Sequence, residues 1–433
     1  MKSLSPMALL LFSLPSILSS VLGPLASVVD TALIGKLDTQ SLAALAICSI
    51  ILNSFSWMFN FLVHTSTQAI AASLSESNDD LYRERLKISL ILALGVGVIS
   101  GLFLYSVRNW LYLLAGSSSE FIPLIDEYFL IRVYGHVFSI MYMTLLSILR
   151  GQQRVGCSFL MVAVTTLVNI LLTWILLYHF NTGIAGAALG TVVADVLGFA
   201  LCSYFLFGKF SYLKEVLATQ LQRSTWLHFG KNSWNLFGRS SCLTVAFFLS
   251  TRFASQSSTS QLAAHQILLQ LWLFSSFFID GVAITGNILG AKFYTQNKLR
   301  DLKVLSINLL LLGSVIGVFF SLLFLMAKGF LFELFTNDEQ VIFYLDQVWP
   351  LIIGTQIINA LAFVYDGILF GHGSFAFLRK HIFMGVVFFY LPLATYGLHA
   401  KSILWIWWGL CLLNLYRLIT GFYKTSQNIV SKR

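Results

Sequence analysis

Residues 304–326 read VLSINLLLLGSVIGVFFSLLFLM, an apolar run without one charged side chain. It meets the roughly 20 residues that a helix needs to cross the hydrocarbon core of a bilayer. Comparable runs recur at 88–105, 159–177 and 403–415. Of the 433 residues, 57% are hydrophobic and only 10% charged, where a soluble domain carries roughly 25% charged residues. Lipid is the solvent such a chain requires. Backbone groups left unpaired in lipid cost several kcal/mol, and ten-residue alternating strand patterns are missing, so the spans are helices.

Twelve spans are expected, at 8–35, 44–74, 88–106, 128–150, 157–178, 183–207, 234–256, 262–291, 303–327, 346–371, 380–400 and 402–424. The first begins near Lys2 without a small-residue cleavage site and reads as a retained membrane helix. Odd-numbered loops hold only Lys36, Arg108, Arg252, Lys328 and Lys401, whereas the other loops and both termini, from Lys2 to Arg433, are basic. The positive-inside rule then places both termini in the cytoplasm and the chain in the inner (plasma) membrane. The net charge of +9 is spread over short loops rather than gathered on one face, which argues against nucleic acid as a partner.

The sequence repeats. Leu42-Ala43-Ala44 recurs as Leu262-Ala263-Ala264, and Leu149 with Gly151 recurs as Leu369 with Gly371, both at an offset of 220. An even number of spans per half makes the repeats parallel, related by an axis along the membrane normal. The expected fold is therefore an all-α membrane protein of twelve transmembrane helices in two six-helix lobes. The N-terminal lobe is expected at 1–207 and the C-terminal lobe at 234–433. Between them 208–233 carries Leu213, Val216, Leu217 and Leu221 at helical spacing and reads as an interfacial amphipathic linker.

A charge near the bilayer centre costs at least about 2.5 kcal/mol, so each one inside a span is a candidate for a pathway or a pair. Asp30 lies six residues before Lys36, or roughly 9 Å inside the outer boundary. Thr165, Asn169 and Thr173 form one stripe on the fifth span, and Thr191 lies at similar depth on the sixth. If these line one cavity, Asp30 faces an amide and hydroxyls with no evident cation, and desolvation disfavours its charged form, as a proton carrier requires. In the second half Gln266, Gln270, Asp280 and Asn287 share an arc of about 100° on the eighth span. Gln266, Gln270 and Asp280 are candidate cavity residues there. Arg239 and Asp366 lie at similar depth and are a candidate ion pair, whose members should tolerate exchange. Asp195, mid-span on the sixth, has no evident partner. Pro15 and Pro24 predict a bend in the first span.

Chemistry is hard to place elsewhere. The acid pairs Asp79-Asp80, Asp126-Glu127 and Asp338-Glu339 lie in or beside loops, the eight histidines are dispersed, and the five cysteines show no paired spacing. No catalytic residue, metal site or cofactor is expected, and the chain does not read as an enzyme.

The runs Val28-Val29-Asp30-Thr31-Ala32-Leu33-Ile34-Gly35 and Ile148-Leu149-Arg150-Gly151 resemble the multidrug and toxic compound extrusion (MATE) transporters. So does Gly183-Ile184-Ala185-Gly186-Ala187-Ala188-Leu189-Gly190-Thr191 after Asn169. Leu262-Ala263-Ala264-His265-Gln266-Ile267, Asp280-Gly281 and Asp366-Gly367-Ile368 look like the DNA-damage-inducible (DinF-type) branch. The resemblance implies two lobes around a central cavity and a monomer surrounded by membrane lipid. It also implies an antiporter that exports small, often cationic or amphipathic compounds against an inward H⁺ or Na⁺ gradient. Asp30 would be the coupling residue, with Asn169 and Thr191 in the same pocket. Many members carry an aspartate where this chain has Thr173, and that loss weakens a Na⁺ site more than it weakens protonation of Asp30. The alternative in the same architecture is a flippase for a lipid-linked precursor, which needs cavity cations; the deep cationic supply is Arg239, with Arg132 near the outer end of the fourth span.

Overall fold

The computed structural model describes residues 4–37, 39–76, 78–117, 121–208 and 210–430; Lys2 and Arg433, used above for orientation, lie outside them. Among the described residues the chain is helical without a strand. The helices are α1 (Pro6–Gly35), α2 (Thr39–Ser75), α3 (Asp79–Leu114), α4 (Ile122–Gly151), α5 (Val155–Tyr178), α6 (Gly183–Phe207) and the short α7 (Phe210–Ala218). They continue with α8 (Arg223–Ser257), α9 (Thr259–Thr295), α10 (Leu299–Met326), the short α11 (Lys328–Phe335), α12 (Glu339–Gly371), α13 (Phe375–Gly385), α14 (Leu391–His399) and α15 (Ile403–Val430). A π-helical stretch, Val386–Tyr390, joins α13 to α14 just before Pro392, so the three form one span. Eleven described helices are long and apolar enough to cross a membrane. The twelfth long helix, α8, is more polar because its first turns carry Arg223, Ser224, Thr225 and His228.

The duplication is written into the boundaries. α2 and α9 begin at Thr39 and Thr259, α3 and α10 at Asp79 and Leu299, α5 and α13 at Val155 and Phe375, and α6 and α15 at Gly183 and Ile403. Each pair keeps the offset of 220 found in the sequence. Even the turn after α4 is copied after α12: Gln153 (φ 63°) and Gly373 (φ 68°) occupy the same left-handed position. Arg154 N–H reaches Leu149 O at 2.9 Å as Ser374 N–H reaches Leu369 O at 3.0 Å.

The chain forms two compact units, Leu18–Ser233 and Met1–Ile17 with Trp234–Arg433. One division falls inside α1, after Ile17, and the other inside α8, between Ser233 and Trp234. Packing within the second unit explains the first of these. Ser13 Oγ is 2.8 Å from Thr285 Oγ1, Asn308 Nδ2 donates to Leu4 O at 2.6 Å, and Gly281 of α9 leaves its missing Cβ to the Ile17 backbone. The start of α1 is therefore bound to α9 and α10. α1 stays helical past Pro15 and Pro24.

In the first unit the 208–233 segment is pinned by α3. Lys87 Nζ donates to Leu217 O at 2.6 Å and Thr219 O at 2.8 Å, satisfying carbonyls at the end of α7. Glu84 Oε1 accepts from Gln222 N–H at 2.5 Å, at the start of α8. Val216 is buried, while Leu217 and Leu221 are exposed.

Candidate functional site

Small residues let the helices of the first unit approach closely. Gly198 of α6 leaves room for the Tyr142 ring of α4, since a Cβ there would sit 2.6 Å from it. The ring's hydroxyl is thereby held 2.8 Å from Thr165 Oγ1 of α5. Gly190 of α6 does the same for Thr173 of α5, whose Oγ1 would lie 2.7 Å from a Cβ.

Between these helices and α1 lies a cavity of about 350 Å³. Asn60, Tyr142, Thr165, Asn169, Thr191 and Asp195 supply polar groups to its wall, Ser19, Gly23 and Ala26 line it from α1, and Arg150 lines it as well. Asn169 Nδ2 donates to Thr191 Oγ1 at 3.0 Å, and Thr191 donates to Ala187 O at 3.0 Å, so the pair is fixed in orientation. Thr173 is fully buried behind this wall and does not line it.

Asp30 is half-buried on α1 and does not line the cavity either. Its Oδ1 and Thr173 Oγ1 are both shut off from solvent. The polar groups near enough to act on its carboxyl are the Thr173 hydroxyl and the Arg132 guanidinium. The neutral surroundings expected from sequence are thus corrected: a cation stands in the same environment, because α4 packs against α6 and brings Arg132 inward. Asp195 has partners after all. Arg132 Nη1 lies 3.4 Å from its Oδ2, and the Ser139 hydroxyl donates to the same oxygen. Arg132 and Ser139 stand two turns apart on one face of α4.

The second unit holds a larger charged cluster. Asp366 of α12 accepts from Arg239 of α8 and, at 2.7 Å, from Arg417 of α15, both on Oδ2. All three are buried. Arg417 also donates to Asn414 Oδ1 at 2.6 Å, Asn414 to Asn359 Oδ1 at 3.2 Å, and Asn359 to Ser276 Oγ at 3.2 Å. Phe363 and Phe370 lie under the Arg417 and Arg239 guanidinium groups at 4.8 Å and 5.0 Å. Sequence alone omitted Arg417, Asn414 and Asn359; the spacing of Asn414 and Arg417 by three on one helical face was the available signal. Asp280 of α9 is half-buried and feels Arg239, Arg417 and Asp366. Gln266 is half-buried, Gln270 exposed and Asn287 buried, so their shared arc does not give them one environment.

The paired surface acids are occupied structurally. Asp338 Oδ1 accepts from Gln340 N–H at 2.8 Å and caps α12, Asp79 and Asp80 fill the first turn of α3, and Asp126 accepts from Tyr112 at 2.8 Å. Among the described residues no group of three His, Cys, Asp or Glu side chains converges as a metal site would require.

Two inversion-free copies of a six-helix repeat, each with intramembrane charge, are a transporter architecture. The MatE family model matches residues 15–175 and again 236–396, one copy per repeat. The chain belongs to the MatE family. It is 28% identical to Protein DETOXIFICATION 44, chloroplastic, of Arabidopsis thaliana, over 96% of its own length and 82% of that protein's. It is 24% identical to the DNA damage-inducible protein F of Escherichia coli (strain K12), covering 93% of this chain and 88% of that protein. Its fold matches the Vibrio cholerae MATE transporter VcmN in the bent form, with a TM-score of 0.88 over 99% of this chain and 97% of that one, at 17% identity. This MatE protein is accordingly a multi-pass membrane transporter of small molecules and not an enzyme.

Proposed function

We propose that this MatE transporter is an antiporter that exports small amphipathic compounds from the cytoplasm in exchange for protons carried by Asp30. The observation that carries this reading is the half-buried Asp30 carboxyl of α1, set beside the buried Thr173 hydroxyl. A carboxylate drawn out of water loses solvation that one hydroxyl only partly replaces, and a proton removes that cost. Thr173, in place of a second acid, offers a neutral oxygen where Na⁺ coordination would gain from charge. The detoxification name of the Arabidopsis relative supports export. The protein works without a cofactor, as a monomer, with H⁺ rather than Na⁺ as the coupling ion. The test is uptake of a lipophilic fluorescent cation and of a matched anion into proteoliposomes under an imposed pH gradient, then under a Na⁺ gradient. Accumulation driven by Na⁺ alone would overturn proton coupling.

Thr173→Asp is expected to make transport respond to Na⁺, since it places a second carboxylate beside Asp30. An unchanged response to Na⁺ in a correctly folded Thr173→Asp protein would remove Thr173 from the account of ion choice.

The basic loops support an inner-membrane orientation with both termini cytoplasmic. Gln220 is exposed between α7 and α8. In a cysteine-free background, Gln220→Cys should react with an impermeant maleimide only in inside-out vesicles, and a reporter fused after Arg433 should read cytoplasmic. Labelling of intact cells at Gln220→Cys would reverse the orientation.

A further inference from the structure

Arg150 is the penultimate residue of α4 and lines the first unit's cavity. Its Nε donates to Ser158 Oγ of α5 at 3.1 Å. A guanidinium has five N–H donors, so four remain on the two terminal nitrogens. Among the described residues no carboxylate forms an ion pair with it. The other charge on the wall, Asp195, is paired with Arg132 and accepts from the Ser139 hydroxyl. Arg150 is thus the positive charge on the cavity wall without a carboxylate partner, with a planar fork of donors available to an occupant.

The turn does not need an arginine there. The turn that follows Arg150 is reproduced after α12, hydrogen bond for hydrogen bond, with Phe370 at the equivalent position and Leu378 in place of Ser158. A residue that builds the turn would be required in both copies. Ser158 is buried and orients the guanidinium, as a site that reads a planar anionic group requires.

We propose that the first unit's cavity takes an amphipathic organic anion, whose carboxylate or phosphate is held by Arg150 while the remainder lies against Tyr142, Asn169 and Thr191. The cavity size suits part of a drug-sized compound. Where the family resemblance suggests cationic cargo, the wall charges favour the opposite sign. The inference rests on the transport reading only in taking this cavity as a cargo site; Arg150 is not among the groups that act on Asp30.

The test is equilibrium binding to the purified full-length protein in detergent at neutral pH, without a gradient, so that it is independent of proton coupling. The probes are 1-naphthoate and 1-naphthylmethylammonium, alike in size and opposite in charge. Wild-type protein is expected to bind the naphthoate at least about tenfold more tightly. Arg150→Gln should erase that preference, and Arg150→Lys, which keeps the charge and loses the fork, should fall between. If Arg150→Gln fails to fold, the wild-type ratio and Arg150→Lys decide. Displacement of naphthoate by dioctanoyl phosphatidic acid would identify a lipid headgroup as the source of the anion, and failure to displace it a free organic acid. Equal or tighter binding of the ammonium probe, absence of naphthoate binding, or an unchanged ratio in folded Arg150→Gln overturns the proposal. Loss of proton-driven uptake in liposomes with the naphthoate preference intact would defeat the antiport reading alone.

Discussion

Asp30→Asn is expected to reduce pH-gradient-driven transport to the level of empty liposomes while leaving the protein folded and able to bind cargo. The amide has the shape of the protonated acid and cannot release a proton, so the step that alternates between charged and neutral forms is lost. Stability should hold. The Thr173 hydroxyl beside Asp30 can still donate to an amide oxygen, and replacing a half-buried carboxylate by a neutral amide lowers its desolvation cost. Affinity for a cargo held at Arg150, Asn169 and Thr191 should change by no more than about threefold, or roughly 0.7 kcal/mol. The measurement is gradient-driven uptake beside equilibrium binding and thermal unfolding on the same preparation. Uptake by Asp30→Asn at the wild-type rate would sink the mechanism and move attention to Asp280, the half-buried intramembrane acid of α9.

Hydropathy and repetition carry most of the fold, because the bilayer imposes one helix length and one rule for backbone hydrogen bonds. The offset of 220 seen in two short matches returns at helix starts and in the backbone of a turn, so sequence and geometry preserve the same duplication. The linker is less legible. Residues 208–233 read as one interfacial amphipathic segment, yet the chain divides there into α7 and the start of α8, where Glu84 and Lys87 on α3 satisfy the chain ends on either side of 219–222. Such long-range caps leave no local pattern. The division of α1 at Ile17 is likewise invisible to hydropathy, which is uniform along the helix, and depends on Ser13 and the missing side chain of Gly281.

The charges teach a similar lesson. Depth along a span can be counted, and depth is what suggests Asp30, Arg239 and Asp366 as buried groups. Which helices are neighbours cannot be counted, and so Asp195 has no evident partner until α4 and α6 are side by side. Arg150, at the end of its span, reads as a marker of orientation because long cationic side chains at such positions usually snorkel to water, while Arg417 lies within its span and no motif singles it out. Both instead turn inward, one onto a cavity and one onto Asp366.

Asp366→Asn is expected to be the most destabilising change in the second unit, and Arg417 alters what its partners can tolerate. A single oxygen of Asp366 holds two buried guanidinium groups, so neutralising it leaves two cations facing one another. Breaking a buried pair from one side costs about 3–5 kcal/mol, and here the loss is compounded by repulsion that Asp366 had offset. Arg239→Gln and Arg417→Gln should each cost less, since the acid keeps one partner. Exchange of Arg239 and Asp366, which a simple pair would tolerate, is expected to fail: an arginine at 366 would lie against Arg417. Replacing all three by apolar residues of similar size should recover much of the lost stability, because the desolvation of all three charges disappears together. The measurement is the thermal unfolding midpoint of each purified variant, with monodispersity as a second readout. A wild-type midpoint for Asp366→Asn would show that the cluster bears no structural load, and its three charges would then belong to the transport cycle.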